Sequence, residues 1–370
     1  MTQQMSSRER IVAALRRQPV DRIPFMLWGL DSLQITPDPS YKPLLEYIAA
    51  HGDLKFKWRP EPNPGFQDYN ATPVDITTES WNRGESIATR TTLHTPLGDL
   101  TQVMQTVPHT ITTATTKYFI ESLDDLHKWL SVPYTPYRPP VDSFFDAEAR
   151  VGERGVITYR TMEPSYLLSY IFTPEAFALA CIEDRGAIHE ATEIMCQRML
   201  DHLRHILEQG ARPIFIVQGA ETATPPMQSP AFFDEFVVRY ERPLVELIHE
   251  YGCLAIVHCH GNLNAVLERF VDLGYDGTHP VEEPPMGDIT LKEYKRRVGD
   301  DLTIIGNVQI GEMLAASPDR VESLVRHLIE DGGPRGSIIS PTATPFERLM
   351  SERTFDNYVR LIDTVLNWQL

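Results

Sequence analysis

Leu254-Ala255-Ile256-Val257-His258-Cys259-His260-Gly261 is a short apolar run that breaks into polar residues and stops at a glycine. So short a run, bounded by turn residues, has the length of a buried strand rather than a helix. A helical stretch follows from Leu263 to Leu273, ends at Gly274, and leads to a second short strand, Asp276 to His279. The same unit recurs outward in both directions. Upstream lie a strand at Gly155–Tyr159, a helix at Arg185–Glu208 ending in Gln209-Gly210, a strand at Pro213–Val217 and a helix at Pro230–Tyr251. Downstream come a helix at Leu291–Val298, a strand at Leu302–Gly306, a helix at Pro318–Glu330, a strand at Ser337–Ser340 and a helix at Glu352–Trp368. Alternating strands and helices predict a parallel sheet covered by helices. The expected fold is α/β, a (β/α)8 TIM barrel formed as one domain over residues 1–370. An open doubly wound sheet is the alternative, but no Gly-x-Gly-x-x-Gly turn follows any strand.

The N-terminal third departs from this regularity. Ser6-Ser7-Arg8-Glu9 has the pattern of a capping box opening an amphipathic helix with Ile11, Val12, Ala14 and Leu15 on its apolar face. Val20-Asp21-Arg22-Ile23-Pro24 ends that extension, and Phe25 to Leu30 reads as a first buried strand. Residues 31–110 are proline-rich and weakly periodic. Within them, Ile87–Leu93 and Leu100–Val107 flank His94-Thr95-Pro96-Leu97-Gly98-Asp99, which predicts a β-hairpin inserted into the barrel.

A formal net charge of −17, spread along the chain without a basic stripe, argues against nucleic acid and anionic membranes as partners. The four cysteines fit neither a disulfide framework nor a zinc ribbon. The polar N-terminus has no signal-peptide core, and no apolar run reaches the roughly 20 residues of a membrane span. A cytoplasmic protein is expected, with a homodimer as the default assembly.

In a (β/α)8 barrel the chemistry sits at the C-terminal ends of the strands. Glu221, His258, His260, His279, Glu282, Asn307 and Gln309 all stand just beyond predicted strands. His258 and His260 are one residue apart, so an extended backbone turns both rings to one side and Cys259 to the other. Two imidazoles and a carboxylate make a zinc site with one open position, and Glu221, His258 and His260 are the candidate ligands. Glu221, His279 and Glu282 are candidate acid–base groups, and Asn307 and Gln309 candidate cofactor-binding groups. Cys259 reads as a buried thiol, and the remaining histidines, among them His189 and His202, as surface groups.

Several segments, in order, resemble the uroporphyrinogen decarboxylase superfamily. They are Arg8–Arg16, Val20–Pro24, Thr95-Pro96-Leu97-Gly98, Glu121–Leu126, His258–Asn262, His279-Pro280-Val281-Glu282 and Gly306-Asn307-Val308-Gln309. The resemblance implies a (β/α)8 barrel and one of two chemistries, decarboxylation of a porphyrinogen or zinc-dependent methyl transfer involving a corrinoid protein. The decarboxylases resemble one another in an arginine-rich stretch after the first strand. This chain has Phe25-Met26-Leu27-Trp28-Gly29-Leu30-Asp31 there, which implies a different substrate. The thiol methyltransferases carry a His-x-Cys motif and a second cysteine near the C-terminus. Here His260 replaces the first cysteine, and Ser340-Pro341-Thr342-Ala343 holds none. The resemblance therefore implies a divergent member nearer the corrinoid-dependent methyltransferases, with a harder, His-rich site. The expected reaction takes a methyl group from a small methylated donor to a corrinoid on a partner protein, or to a thiol. A carboxy-lyase acting on a smaller carboxylic acid is the alternative.

Overall fold

The computed structural model describes residues 4–31, 38–63, 65 and 68–369. Seven parallel strands form a curled sheet in the order β1, β6, β7, β8, β9, β10, β11. They are β1 (Leu54–Lys57), β6 (Gly155–Met162), β7 (Ile214–Gln218), β8 (Ala255–His258), β9 (Gly277–His279), β10 (Thr303–Val308) and β11 (Ser337–Pro341). The expected strand at Phe25–Leu30 is reduced to one parallel bridge, Phe25 to Ile339 on β11. Its backbone turns away after Met26, whose N–H reaches the Ile339 carbonyl at 2.9 Å. The helices fall close to their sequence positions, Leu291–Val298 without change. The predicted helix Pro230–Tyr251 contains a wide turn over Asp234–Val238.

Between β1 and β6 the chain builds a separate four-stranded antiparallel sheet from β2 (Asp75–Arg83), β3 (Ser86–Thr95), β4 (Gly98–Thr106) and β5 (Thr113–Lys117). The expected hairpin is its central pair, in register from Thr95–Gly98 to Ala88–Gln105. The outer strands escaped the sequence reading because β2 is exposed along its whole length and shows no apolar face.

Strand alternation sorts the core into two layers. Phe215, Val217, Ala255, Val257, Ile304 and Ile339 face the surrounding helices. Their neighbours Val156, Ile214, Ile216, Ile256, Ile305 and Ile338 face the concave side, where Ile11, Ala14 and Leu15 of the first helix pack against them. Gly277 is needed here, because a Cβ would stand 3.2 Å from both Leu15 and Ile305 side-chain carbons. The concave face is thus apolar where the strands begin. Further along it becomes polar, with Arg160 after Thr158 on β6 and His258 after Ile256 on β8, while β1 carries Lys55 and Lys57 on this face along its whole length.

A buried ion cluster ties the N-terminal helix to the sheet. The helix Ser7–Leu15 opens with the capping box of Ser6 and Glu9. From it, Arg10 reaches Asp21 at 2.6 Å and Asp53 at 2.9 Å. Asp53 also binds Arg22, accepts from the Phe25 N–H at 3.3 Å, and donates its own N–H to the Ser7 hydroxyl oxygen at 3.0 Å. One carboxylate therefore joins the helix, the Phe25 bridge and β1. Replacing Asp53 by alanine leaves two guanidinium groups without their buried partner and is expected to cost roughly 3–5 kcal/mol in urea unfolding. Asp21 gives a pH signature. Burial opposes its ionisation, but hydrogen bonds from Arg10 and from backbone amides prevail and lower its pKa from 3.8 to about 2. Its contribution to stability is complete above about pH 4 and vanishes as the pH falls through about 2. The stability difference between the wild type and Asp21→Asn should close over that interval.

Candidate functional site

The polar rim at the strand ends is built from the backbone outward. β8 and β9 run in register, with His258 opposite His279 on the concave face. The Cys259 N–H extends the ladder to the His279 carbonyl at 3.0 Å, and the Gly219 N–H extends it on the other side to the His258 carbonyl. The two imidazoles meet through their Nδ1 atoms at 2.8 Å. Trp28 stacks on both rings, at centroid distances of 4.3 Å from His258 and 4.0 Å from His279.

Hydrogen bonding assigns the tautomers. His279 Nε2 lies 3.0 Å from the Pro341 carbonyl, which can only accept. His279 Nε2 therefore carries the proton, and in the neutral ring its Nδ1 is a lone pair. His258 must then donate from Nδ1, which leaves its Nε2 as a lone pair. Burial keeps both rings neutral. It is the chief cause that takes His279 down to about 3 and His258 well below the usual imidazole range.

The second predicted histidine is held differently. His260 is partly exposed, and its ring meets that of His258 edge-on at 4.9 Å. Its Nδ1 stands 3.3 Å from Glu282 Oε2, which also accepts the Gly261 N–H at 3.1 Å. Gln309 supports the other oxygen of Glu282 at 3.4 Å and is itself held by Thr342. Burial alone would raise the Glu282 carboxyl. The hydrogen bonds from His260, Gly261 and Gln309 outweigh it and lower the pKa.

Glu221 begins a short turn after β7. Gly219 and Ala220 both take positive φ there, and Ala220 sits in the left-handed region that side chains disfavour. Burial pushes the Glu221 carboxyl up, and the nearby His260 and Arg160 offset this only in part. Its Oε2 is buried without a hydrogen-bond partner.

These positions sort the sequence expectations. His258, His260, Glu282 and Gln309 form one contiguous group, and Glu221 faces it. His279 lies fully buried behind His258 as its orienting partner. Asn307 is spent on the backbone, its amide accepting from the Val281 N–H and donating to the Val281 carbonyl. Cys259 is buried, and burial first, then surrounding glutamates, drive its thiol far up, so it stays protonated. His202 is a correction: it is not a surface group but is buried, receiving the Tyr159 hydroxyl at 2.6 Å and stacking on Tyr137. The amphipathic pattern of its helix put it on the sheet side, where tyrosines satisfy the ring.

Sequence reasoning missed Trp28 and the cations of the concave face, Lys55, Lys57 and Arg160. The signal was present in Leu54-Lys55-Phe56-Lys57-Trp58, which alternates strictly between apolar and cationic residues. It also missed Glu163 and Glu241, buried carboxyls whose pKa values are raised chiefly by burial. Among the described residues, no three His, Cys, Asp or Glu side chains are gathered closely enough to hold a metal ion as they stand. No helix among them is long and apolar enough to cross a membrane.

Residues 148–363, more than half of the chain, match the family described as Uroporphyrinogen decarboxylase (URO-D), and the chain belongs to that family. It is 25% identical over 170 residues to the Methylcobamide:CoM methyltransferase MtaA of Methanosarcina barkeri. That match covers 46% of this chain and 48% of the relative, so the chain spans about half the length of the curated relatives it matches. Among solved structures, a methyltransferase from Methanosarcina mazei superposes with a TM-score of 0.64 at 16% identity, over 97% of this chain and 99% of the other. The likeness is one of fold.

The hydrogen-bond chain is directly testable. In the chain free of added metal, 15N-edited NMR should show His258 protonated on Nδ1 and His279 on Nε2 throughout pH 5.5–8. Rapid exchange between tautomers at either ring would contradict the assignment.

Proposed function

We propose that this protein is a methyltransferase that takes a methyl group from a small methylated donor to a corrinoid on a partner protein, or to a thiol, with zinc held by Glu221, His258 and His260. The observation that carries the reading is the common dressing of the two imidazoles. Each has its Nδ1 held by a partner, His279 at 2.8 Å for one and Glu282 at 3.3 Å for the other, which leaves Nε2 as the nitrogen to meet an ion. Metal-binding histidines are ordinarily prepared in this way. Glu221 adds a buried oxygen that lacks a partner. The donor set therefore fits zinc in chemistry, while gathering the three side chains around an ion calls for rotation of the partly exposed His260.

When bound, the metal would supply Lewis-acid polarisation of the donor or acceptor heteroatom. The chain supplies the rest. His279 and the Pro341 carbonyl hold His258 neutral and correctly turned. Glu282, backed by Gln309 and Thr342, orients His260. Trp28 covers the rings and keeps water from that side. The reading includes closure of the curled sheet into a single eight-position barrel through the Phe25 bridge, with the polar rim at its mouth. The similarity to MtaA and the membership of the URO-D family support methyl transfer at this level.

A carboxy-lyase acting on a smaller acid is the second reading, favoured by one observation. The raised Glu221 carboxyl is placed to return a proton to a carbanion.

Metal analysis and turnover separate the two. About one equivalent of zinc is expected per chain, and the His258→Ala, His260→Ala double variant should retain less than a tenth of it. Methyl transfer, followed by the visible absorbance of methylcobalamin with a thiol acceptor, should fall at least 100-fold in Glu221→Gln and on chelation. Full turnover in the chelated protein, with carbon dioxide released from an acid substrate, would reject the first reading for the second.

A further inference from the structure

Beside the histidine pair, the concave face opens into a cavity of about 230 Å³, with Trp28 forming a wall common to both. Its charged lining is Lys55, Lys57, Arg59 and Arg160 against a single carboxylate, Asp31. The register explains the cluster. Lys55 and Lys57 alternate on β1, Lys57 lies beside Thr158 of β6, and Arg160 is the next residue of β6 on the same face. Four cations from two neighbouring segments, β1 with the residues just after it and β6, thus converge in a chain whose net charge is −17.

Lys55 is buried, Lys57 is half-buried beside it, and Arg59 and Arg160 are exposed where they line the cavity. A buried cation opposes folding unless an opposite charge meets it. Lys55 lies over Trp28 at 5.4 Å, and Asp31 is the acid that favours the charged form of both lysines. The strain is visible in their protonation. Burial first, then neighbouring cations, bring Lys57 down to about 7, and burial brings Lys55 to about 8. Arg160 is exposed where it lines the cavity, so its guanidinium is offered to a ligand.

We propose that this cavity is an anion subsite that seats a dianionic head, a pair of carboxylates or a phosphate, of the small molecule reacting at His258. Only the link to His258 rests on the proposed methyl transfer. The subsite itself stands on the cavity and its charges. A dianion matches the excess of cations over Asp31, and its arrival completes protonation of the two lysines. The space is sufficient for the head and a short chain leading to Trp28. Arginine and lysine on different strands replace the arginines absent from Phe25–Asp31, so carboxylate binding is met from another side of the site.

The test is isothermal titration of the full chain, free of added metal and at fixed ionic strength, with malonate, inorganic phosphate and acetate. Saturable single-site binding is expected for malonate or phosphate, at least tenfold tighter than for acetate. The tighter of the two identifies the head as a carboxylate pair or a phosphate. Arg160→Gln and Lys57→Gln should each weaken it about tenfold, with Arg160→Lys and Lys57→Arg recovering part of the loss. Arg326→Gln, on an outer helix, should change nothing. Raising the pH from 6.5 to 9 should weaken binding as Lys57 and Lys55 lose their protons in the presence of Asp31, Arg59, Arg160 and His279. Malonate and phosphate binding no tighter than acetate, or unchanged binding in folded Arg160→Gln and Lys57→Gln, would overturn the proposal. Because binding is read without turnover, anion binding without methyl transfer rejects the reaction alone. Methyl transfer without anion binding rejects the subsite alone.

Discussion

A backbone carbonyl can accept a hydrogen bond but never donate one, and the Pro341 carbonyl at the end of β11 imposes that rule on the whole rim. It fixes the proton of His279 on Nε2. His279 in turn makes His258 a donor at Nδ1 and leaves the other nitrogen of His258 free to act on something else. The constraint crosses three strands, β11, β9 and β8, and depends on their register. A one-residue slip in any of them would turn a ring to the helix side. Trp28 then closes over both rings, so the tautomers are set away from bulk water.

The concave face combines two environments along its strands. At its beginning are Ile214, Ile256, Ile305 and Ile338, sealed by the first helix and anchored by the Asp53 ion cluster. At its end are an arginine, lysines whose pKa values burial lowers, and the buried pair His258 and His279, which burial keeps neutral. The apolar half stabilises what the polar half opposes. Depressed lysines and a raised glutamate in one cleft are the usual mark of a site where binding or proton movement has been favoured over stability. The order of the two halves is also that of a barrel, in which the end opposite the site serves stability.

His260 is where this chain departs most from the thiolate-rich arrangement that its family resemblance implies. A cysteine at that position would need no orienting partner. An imidazole does, and Glu282, Gln309 and Thr342 form a graded support behind it. The position of Glu282 three residues after His279 was legible as a polar strand end. That it stands against His260 was not, because its partners come from the separate loops after β8 and β10.

Period and punctuation in the sequence determined most of the framework. Short apolar runs alternating with amphipathic stretches specified the parallel strands from β6 onward and the helices between them, because each element's burial pattern repeats within a few residues. The same local signal marked His258, His260, Glu221 and Glu282 as strand-end residues. Tertiary structure alone decided which of these meet. It joined His279 to His258 through their Nδ1 atoms, spent Asn307 on the Val281 backbone, buried His202 among tyrosines, and brought Lys55 and Lys57 to face Arg160 across roughly one hundred residues of chain. The physical reason is that periodicity reports which face of an element is buried. Hydrogen-bond partners and like-charge neighbours depend on sheet order and register, which no local stretch of sequence contains.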